Sequence, residues 1–293
     1  MNKISLKIDE KIEHREFGKT GAKVSAVGMG TYYDFMSILS GRFLGYIRNR
    51  GNKVAAIRKG IDLGINLIDT AEVYQTETLV AEAMRGYDRE ELFIATKALF
   101  INLRYDKVLK AAERSLRRLD TNYIDLYQIH QPSPWVPIKE TMRAMEKLVE
   151  DGKVMYIGVS NFSRRQVEEA QGAMSRNELA SNQVEYNLKV RRIEDDLLPY
   201  CERNKITVLA YRPVAHGALV KPSGNLKVAM DAISKKHGGK TPSQIVLNWL
   251  LSKNTNVFPI PRASRQKRVE ENVGAMGWKM DGEDIMMLER AAS

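Results

Sequence analysis

The sequence predicts an α/β fold: a (β/α)8 TIM barrel with an N-terminal β-hairpin and a short C-terminal helix. Three observations carry the prediction: eight short β-branched apolar runs, amphipathic segments between them, and no fingerprint of an open dinucleotide-binding sheet. The runs are AVGMGT (26–31), NLIDT (66–70), LFIATK (92–97), YIDLYQIH (123–130), VMYIGVS (154–160), SNQVEYN (181–187), TVLAY (207–211) and NVFPIP (256–261). Between them lie segments such as KVAAIRKGIDLG, YDKVLKAAERSLRRL, IKETMRAMEKLVEDG and PSQIVLNWLLSKN, with apolar residues recurring at helical spacing. Strict alternation implies parallel strands, because each return to the same sheet edge needs a crossover helix. An open doubly wound sheet would show G-x-G-x-x-G after its first strand; here Gly28 and Gly30 are followed by Tyr33.

Residues 14–27 read as the hairpin, with a GKTGAK turn in which Gly18 and Gly21 allow the tight reversal. The 293 residues suit one decorated barrel, and no linker or low-complexity stretch interrupts them, so a single domain over 1–293 is expected. DGEDIMMLERAA supplies the last helix. The start, MNKISLKIDEKIEHREF, lacks the apolar run of a signal peptide, and nothing reaches the length of a membrane span. A cytoplasmic location without membrane partners is the expectation. Cys201 is the only cysteine, so an internal disulfide and a cysteine metal cluster are excluded, and no metal is expected. The net charge of +10 comes from basic residues mixed with acidic ones, and the densest run, RASRQKR (262–268), leads straight into VEEN. That pattern fits a solvated surface or a phosphate site better than a nucleic-acid face.

In a barrel the C-terminal strand ends form the active face. Asp69 closes the second run, Tyr74 follows it, Lys97 closes the third and His130 the fourth. Singly, each has a bland reading as a cap, a solvated cation, a packed ring or a satisfied histidine. Together they suit carbonyl reduction, which needs a proton delivered to oxygen. A lysine beside a tyrosine is expected to lower the phenol pKa, and Asp69 would balance a buried Lys97. His130 would orient the substrate oxygen by a hydrogen bond.

DTAEVY (69–74), ATK (95–97), IH (129–130), GKVMYIGVSNF (152–162) and QVEYN (183–187), in this order, resemble the aldo-keto reductase superfamily. The resemblance implies an NADP(H)-dependent oxidoreductase acting on a small aldehyde, ketone or alcohol, with Asp69, Tyr74, Lys97 and His130 as its tetrad and Tyr74 as general acid/base. It places Ser160, Asn161 and Gln183 at the nicotinamide carboxamide and Tyr211 against the nicotinamide ring. Thr31 and Tyr32 join the cofactor set, and Tyr32 also borders the substrate with Trp135. RPVAHGAL resembles the loop over the pyrophosphate, bringing in Arg212, Pro213, Val214 and Gly217; Arg212 departs from the serine common there, and a phosphate role is expected for it. PRASRQKRVEEN (261–272) resembles the adenosine-phosphate segment. There Arg262 and Arg268, with Ser264 between, would grip a 2′-phosphate, and Glu271 and Asn272 would contact adenine.

YYDFMSILSGRFLGYIRNRGNK (32–53) is a long insert. Phe35, Met36, Ile38, Leu39, Phe43, Leu44 and Tyr46 make it too apolar for a free loop, so a lid or a docking surface is expected. Two other functions compete: a cofactor-sensing regulatory subunit resembling channel-associated β subunits, and a barrel glycosidase using Glu72 and Glu185. Nothing else in the chain supports the glycosidase. The sequence names neither the substrate nor the oligomeric state.

Overall fold

All eight predicted runs form strands, and these lie side by side in chain order. The computed structural model describes residues 12–33, 46–254 and 256–292. The hairpin is β1 (His14–Glu16) and β2 (Lys23–Ser25), paired antiparallel. The barrel strands are β3 (Met29–Gly30), β4 (Leu67–Asp69), β5 (Phe93–Ala98), β6 (Ile124–Ile129), β7 (Val154–Ser160), β8 (Leu179–Glu185), β9 (Thr207–Tyr211) and β10 (Val257–Pro259). Each pairs in parallel with the next.

A backbone bridge from Gly30 to Arg262 closes the ring. Gly28 N–H donates to Pro259 O at 2.9 Å, and Gly30 N–H to Pro261 O at 3.1 Å. A Cβ on Gly30 would sit 2.9 Å from Ile260 O, so a glycine lets the first stave meet the last.

The helices are α1 (Arg50–Asp62), α2 (Glu77–Met84), α3 (Tyr105–Leu119), α4 (Ile138–Glu150), α5 (Arg164–Ala173), α6 (Leu197–Arg203), α7 (Gly224–Lys236), α8 (Pro242–Lys253), α9 (Gln266–Val273) and α10 (Gly282–Ala292). The last is the predicted C-terminal helix. In α3 the spacing of Val108, Ala111, Ala112, Ser115, Leu116 and Leu119 buries one face. α8 begins at a capping box, Thr241 with Gln244, and has Pro242 in its first turn, where a missing N–H costs nothing. Each such cap contributes about 1 kcal/mol.

A second layer of packing lies inside the barrel, where Phe17, Leu67, Phe93, Leu126, Leu209 and Phe258 form one cluster. Phe17, in the hairpin turn, lies 4.8 Å from the Phe93 ring and 5.6 Å from that of Phe258. The hairpin is therefore a stopper in the N-terminal mouth, leaving the opposite rim for chemistry. Cys201 is buried, and burial pushes its thiol up to about 12. The proposed lid residues Phe35 to Leu44 lie outside the described residues; Tyr46, at the edge, is exposed. Among the described residues no helix is long and apolar enough to cross a membrane.

Candidate active site

The C-terminal rim gathers Asp69, Tyr74, Lys97 and His130. Asp69 ends β4, Lys97 is the penultimate residue of β5, and His130 follows β6, its N–H donating to Ala98 O at 3.0 Å. Tyr74 ends a single 3-10 turn, Glu72–Tyr74, and Gln75 stops that turn in the left-handed region at φ 61°. Tyr74 Oη lies 3.4 Å from His130 Nε2, with the two rings edge to face. Lys97 Nζ sits 5.0 Å from the centre of the Tyr74 ring.

Asp69 is the hub beneath them. Its Oδ2 accepts from Lys97 Nζ at 2.6 Å, and Lys97 also donates to Thr70 O at 2.7 Å. Its Oδ1 accepts from Gln183 Nε2 at 2.8 Å and from Gln128 Nε2 at 3.3 Å. Lys97 and Asp69 are both buried, so these donors keep an otherwise costly charge in place. Gln128 escaped the reading of the sequence. Its signal was a lone amide inside the apolar run YIDLYQIH, and only the register, Lys97 beside Gln128, shows that it serves this site. Gly158 makes room for it: a Cβ there would lie 2.8 Å from Gln128 Cγ.

The electrostatics correct one expectation. The Tyr74 phenol is pushed well above its ordinary range, first by burial and then by the Asp69 carboxylate, with Arg212 acting against them. The nearby Lys97 ammonium, held by Asp69 at contact distance, does not outweigh burial and the Asp69 carboxylate. Burial likewise lowers Lys97, opposed by Asp69. Burial, followed by the nearby Lys97 charge, pushes His130 down to about 3. His130 is thus neutral and Tyr74 a protonated phenol throughout the physiological range. Reduction is therefore expected to show a flat kcat from about pH 5 to 8, falling only in strong alkali as the phenol ionises. A kcat profile with an inflection near pH 6.5 would contradict a neutral His130. The sign for folding follows too: His130 binds its proton more readily when unfolded, so its contribution to stability is lost as pH falls below 6.5.

Ser160, Asn161 and Gln183 form one cluster. Ser160 Oγ donates to Gln183 O at 2.9 Å, and Asn161 Nδ2 donates to His130 O at 3.0 Å. Tyr211 Oη donates to Asn161 Oδ1 at 2.9 Å. Thr31 is buried, donating to Asp69 O at 3.1 Å, whereas Tyr32 is exposed with its ring edge-on to Tyr74 at 5.2 Å. Trp135 is 70% exposed on the rim, its ring 6.4 Å from Phe100.

Arg212 is exposed, pairs with Glu185 at 3.2 Å and lies against the Tyr211 ring. Next to it Pro213 is buried and Val214 half-buried. Arg212, Ala215, His216 and Gly217 all have positive φ. A left-handed non-glycine residue costs about 1 kcal/mol or more, so this loop holds a conformation its own residues disfavour. Arg262, Ser264 and Arg268 are exposed between β10 and the first turn of α9. Arg268 reaches Glu271 at 2.5 Å, and Asn272 is buried. The Gly30–Arg262 bridge sets this segment directly beside Thr31.

Residues 48–293 match the Aldo/keto reductase family. Methylglyoxal reductase YeaE of Escherichia coli (strain K12) is 37% identical over 270 residues, covering 91% of this chain and 90% of that protein. The crystal structure of a thermostable aldo-keto reductase, Tm1743, in complex with the inhibitor epalrestat superimposes with a TM-score of 0.85 at 37% identity, covering 96% of this chain and 100% of that one. An aldo-keto reductase from Klebsiella pneumoniae, crystallised with NADPH, gives a TM-score of 0.82 at 34% identity, covering 95% of this chain and 94% of its own. With a barrel closed at Gly30, a stoppered base and a tyrosine poised over a buried aspartate–lysine pair, the chain belongs to the aldo/keto reductase family.

Proposed function

We propose that the protein uses NADPH to reduce small aldehydes and ketones, Tyr74 giving the proton to the carbonyl oxygen. The observation that carries this is the Tyr74 hydroxyl held 3.4 Å from His130 Nε2 above the buried Asp69–Lys97 pair. His130 Nδ1 is buried without a hydrogen-bond partner among the described residues, which suits a bare nitrogen there and the proton on Nε2. Nε2–H and Tyr74 O–H would then both point hydrogen at a substrate oxygen, stabilising the charge that grows on it. A bound nicotinamide would supply the hydride to the carbonyl carbon.

The residues present fit that cofactor. Ser160, Asn161 and Gln183 offer both donors and acceptors to a carboxamide. Arg212 would exchange Glu185 for a pyrophosphate oxygen. Exposed Arg262 and Arg268, with Ser264, would hold a phosphate dianion at the start of α9, where unpaired helix N–H groups also favour an anion. Methylglyoxal, the substrate named for the Escherichia coli relative, is the first compound to test. Loss of nicotinamide absorbance with methylglyoxal and other small aldehydes is expected with NADPH. Binding of NADPH without any turnover would turn the reading toward a cofactor sensor. The Arg262→Ala, Arg268→Ala double variant is expected to raise KM for NADPH about 100-fold, from two lost charge-assisted contacts, and to leave KM for NADH nearly unchanged. Equal effects on the two cofactors would remove the 2′-phosphate assignment.

A further inference from the structure

Glu72 is a half-buried acid that the chemistry above does not use, two residues before Tyr74. The turn that carries Tyr74 has little backbone support. Tyr74 N–H donates to Ala71 O at 3.0 Å, and Gln75 then leaves helical geometry at φ 61°. Side chains complete the turn: Gln75 Nε2 donates to Glu72 O at 2.9 Å, and Glu72 Oε1 accepts from Asn102 Nδ2 at 2.5 Å. Arg114, on α3, approaches the same oxygen at 3.9 Å. Glu72 Oε2 is buried and without a partner among the described residues, and burial raises the carboxyl above its usual range. Leaving that oxygen unpaired costs stability, so the clamp made by the other oxygen is held at a cost to the fold.

Asn102 ends the 3-10 turn Phe100–Asn102, five residues beyond Lys97 along the chain. The Glu72–Asn102 bond therefore fastens the Tyr74 turn to the loop that continues the Lys97 strand. Among the described residues the Tyr74 hydroxyl has only the long contact to His130 to fix it, so its place over the site depends on how the turn is held.

We propose that Glu72, through its hydrogen bond to Asn102, is a positioning residue that holds Tyr74 where it delivers its proton. The proposal rests on Tyr74 being the proton donor. A displacement of about 1 Å in a reacting group costs roughly 100-fold in rate, so loosening this clamp acts on kcat. Glu72→Gln keeps an oxygen that can accept from Asn102, whereas Glu72→Ala keeps none.

The test is steady-state reduction of methylglyoxal, with NADPH affinity measured separately by quenching of protein fluorescence. Glu72→Ala is expected to lose about 10- to 100-fold in kcat with NADPH affinity unchanged, and Glu72→Gln to stay within about threefold of the parent. Asn102→Ala removes the same bond from the other side and should match Glu72→Ala, with the double variant no worse than either. If Glu72→Ala does not fold, Asn102→Ala decides alone: a tenfold loss supports the clamp, and less than a twofold loss overturns it. Equal losses in Glu72→Ala and Glu72→Gln, or a loss confined to NADPH binding, also overturn it. Tyr74→Phe runs alongside. An active Tyr74→Phe brings down the proton-donor reading and the clamp together, whereas an inactive one beside a fully active Glu72→Ala brings down the clamp alone.

Discussion

Tyr74→Phe should lower kcat for carbonyl reduction by about 10²- to 10⁴-fold, the span that a positioned general acid contributes. The change deletes one oxygen and keeps the ring that packs edge-on to Tyr32 and His130 and lies 5.0 Å from Lys97 Nζ. The lost hydrogen bond is a long one, 3.4 Å to His130 Nε2, so neither folding nor cofactor binding should suffer much. The loss should therefore appear in kcat and kcat/KM equally, as for an interaction made only in the transition state. A variant within tenfold of the parent would mean that the proton comes from another group. Water would be the first candidate, since His130 is held neutral with its pKa near 3.

Lys97→Met should destabilise the protein by about 3–5 kcal/mol, because it leaves the Asp69 carboxylate buried with its counter-charge gone. The amides of Gln128 and Gln183 remain on Oδ1, but Oδ2 loses the ammonium 2.6 Å away. For a domain of this size each kcal/mol moves Tm by about 2–4 °C, so a fall of roughly 6–20 °C is expected by thermal unfolding. Adding Asp69→Asn should recover much of that stability, since the neutral amide keeps an oxygen for Gln128 and Gln183 and no longer carries a charge. Activity should be lost in both proteins. A Lys97→Met protein that melts within 2 °C of the parent would show that the buried pair is not held as an ion pair.

Much of this fold was legible because short β-branched runs and amphipathic helices leave local traces. All eight strands fall within or beside the runs read from the sequence, and Asp69, Lys97 and His130 sit at strand ends as their positions implied. Register and burial leave no such trace. Gln128 reads as one polar residue among apolar ones, and its partner Asp69 lies 59 residues away. The direction of the Tyr74 pKa was misread for the same reason. Proximity of a lysine suggests a lowered phenol, but burial of the hydroxyl and the Asp69 carboxylate together push it up. Arg212 was visible as a departure from the serine common in the family that the sequence resembles, yet its pairing with Glu185 across neighbouring strands emerges only in three dimensions. Glu72 was read only as one carboxylate of a glycosidase pair with Glu185, and nothing local marks Asn102 as its partner.

The junction between β3 and β10 has a consequence of its own. β3 contributes two residues to the ring, and the closure relies on a few backbone bonds around Gly28, Gly30 and Arg262. Of all the staves in the hoop, this one has the fewest rivets. Thr31 lies on one bank of that joint and Arg262 on the other, so a dinucleotide touching both would act as a clasp. Breathing of the hoop at this joint and departure of the dinucleotide would then be one event, with the tightness of the cofactor measuring how firmly the ring is shut.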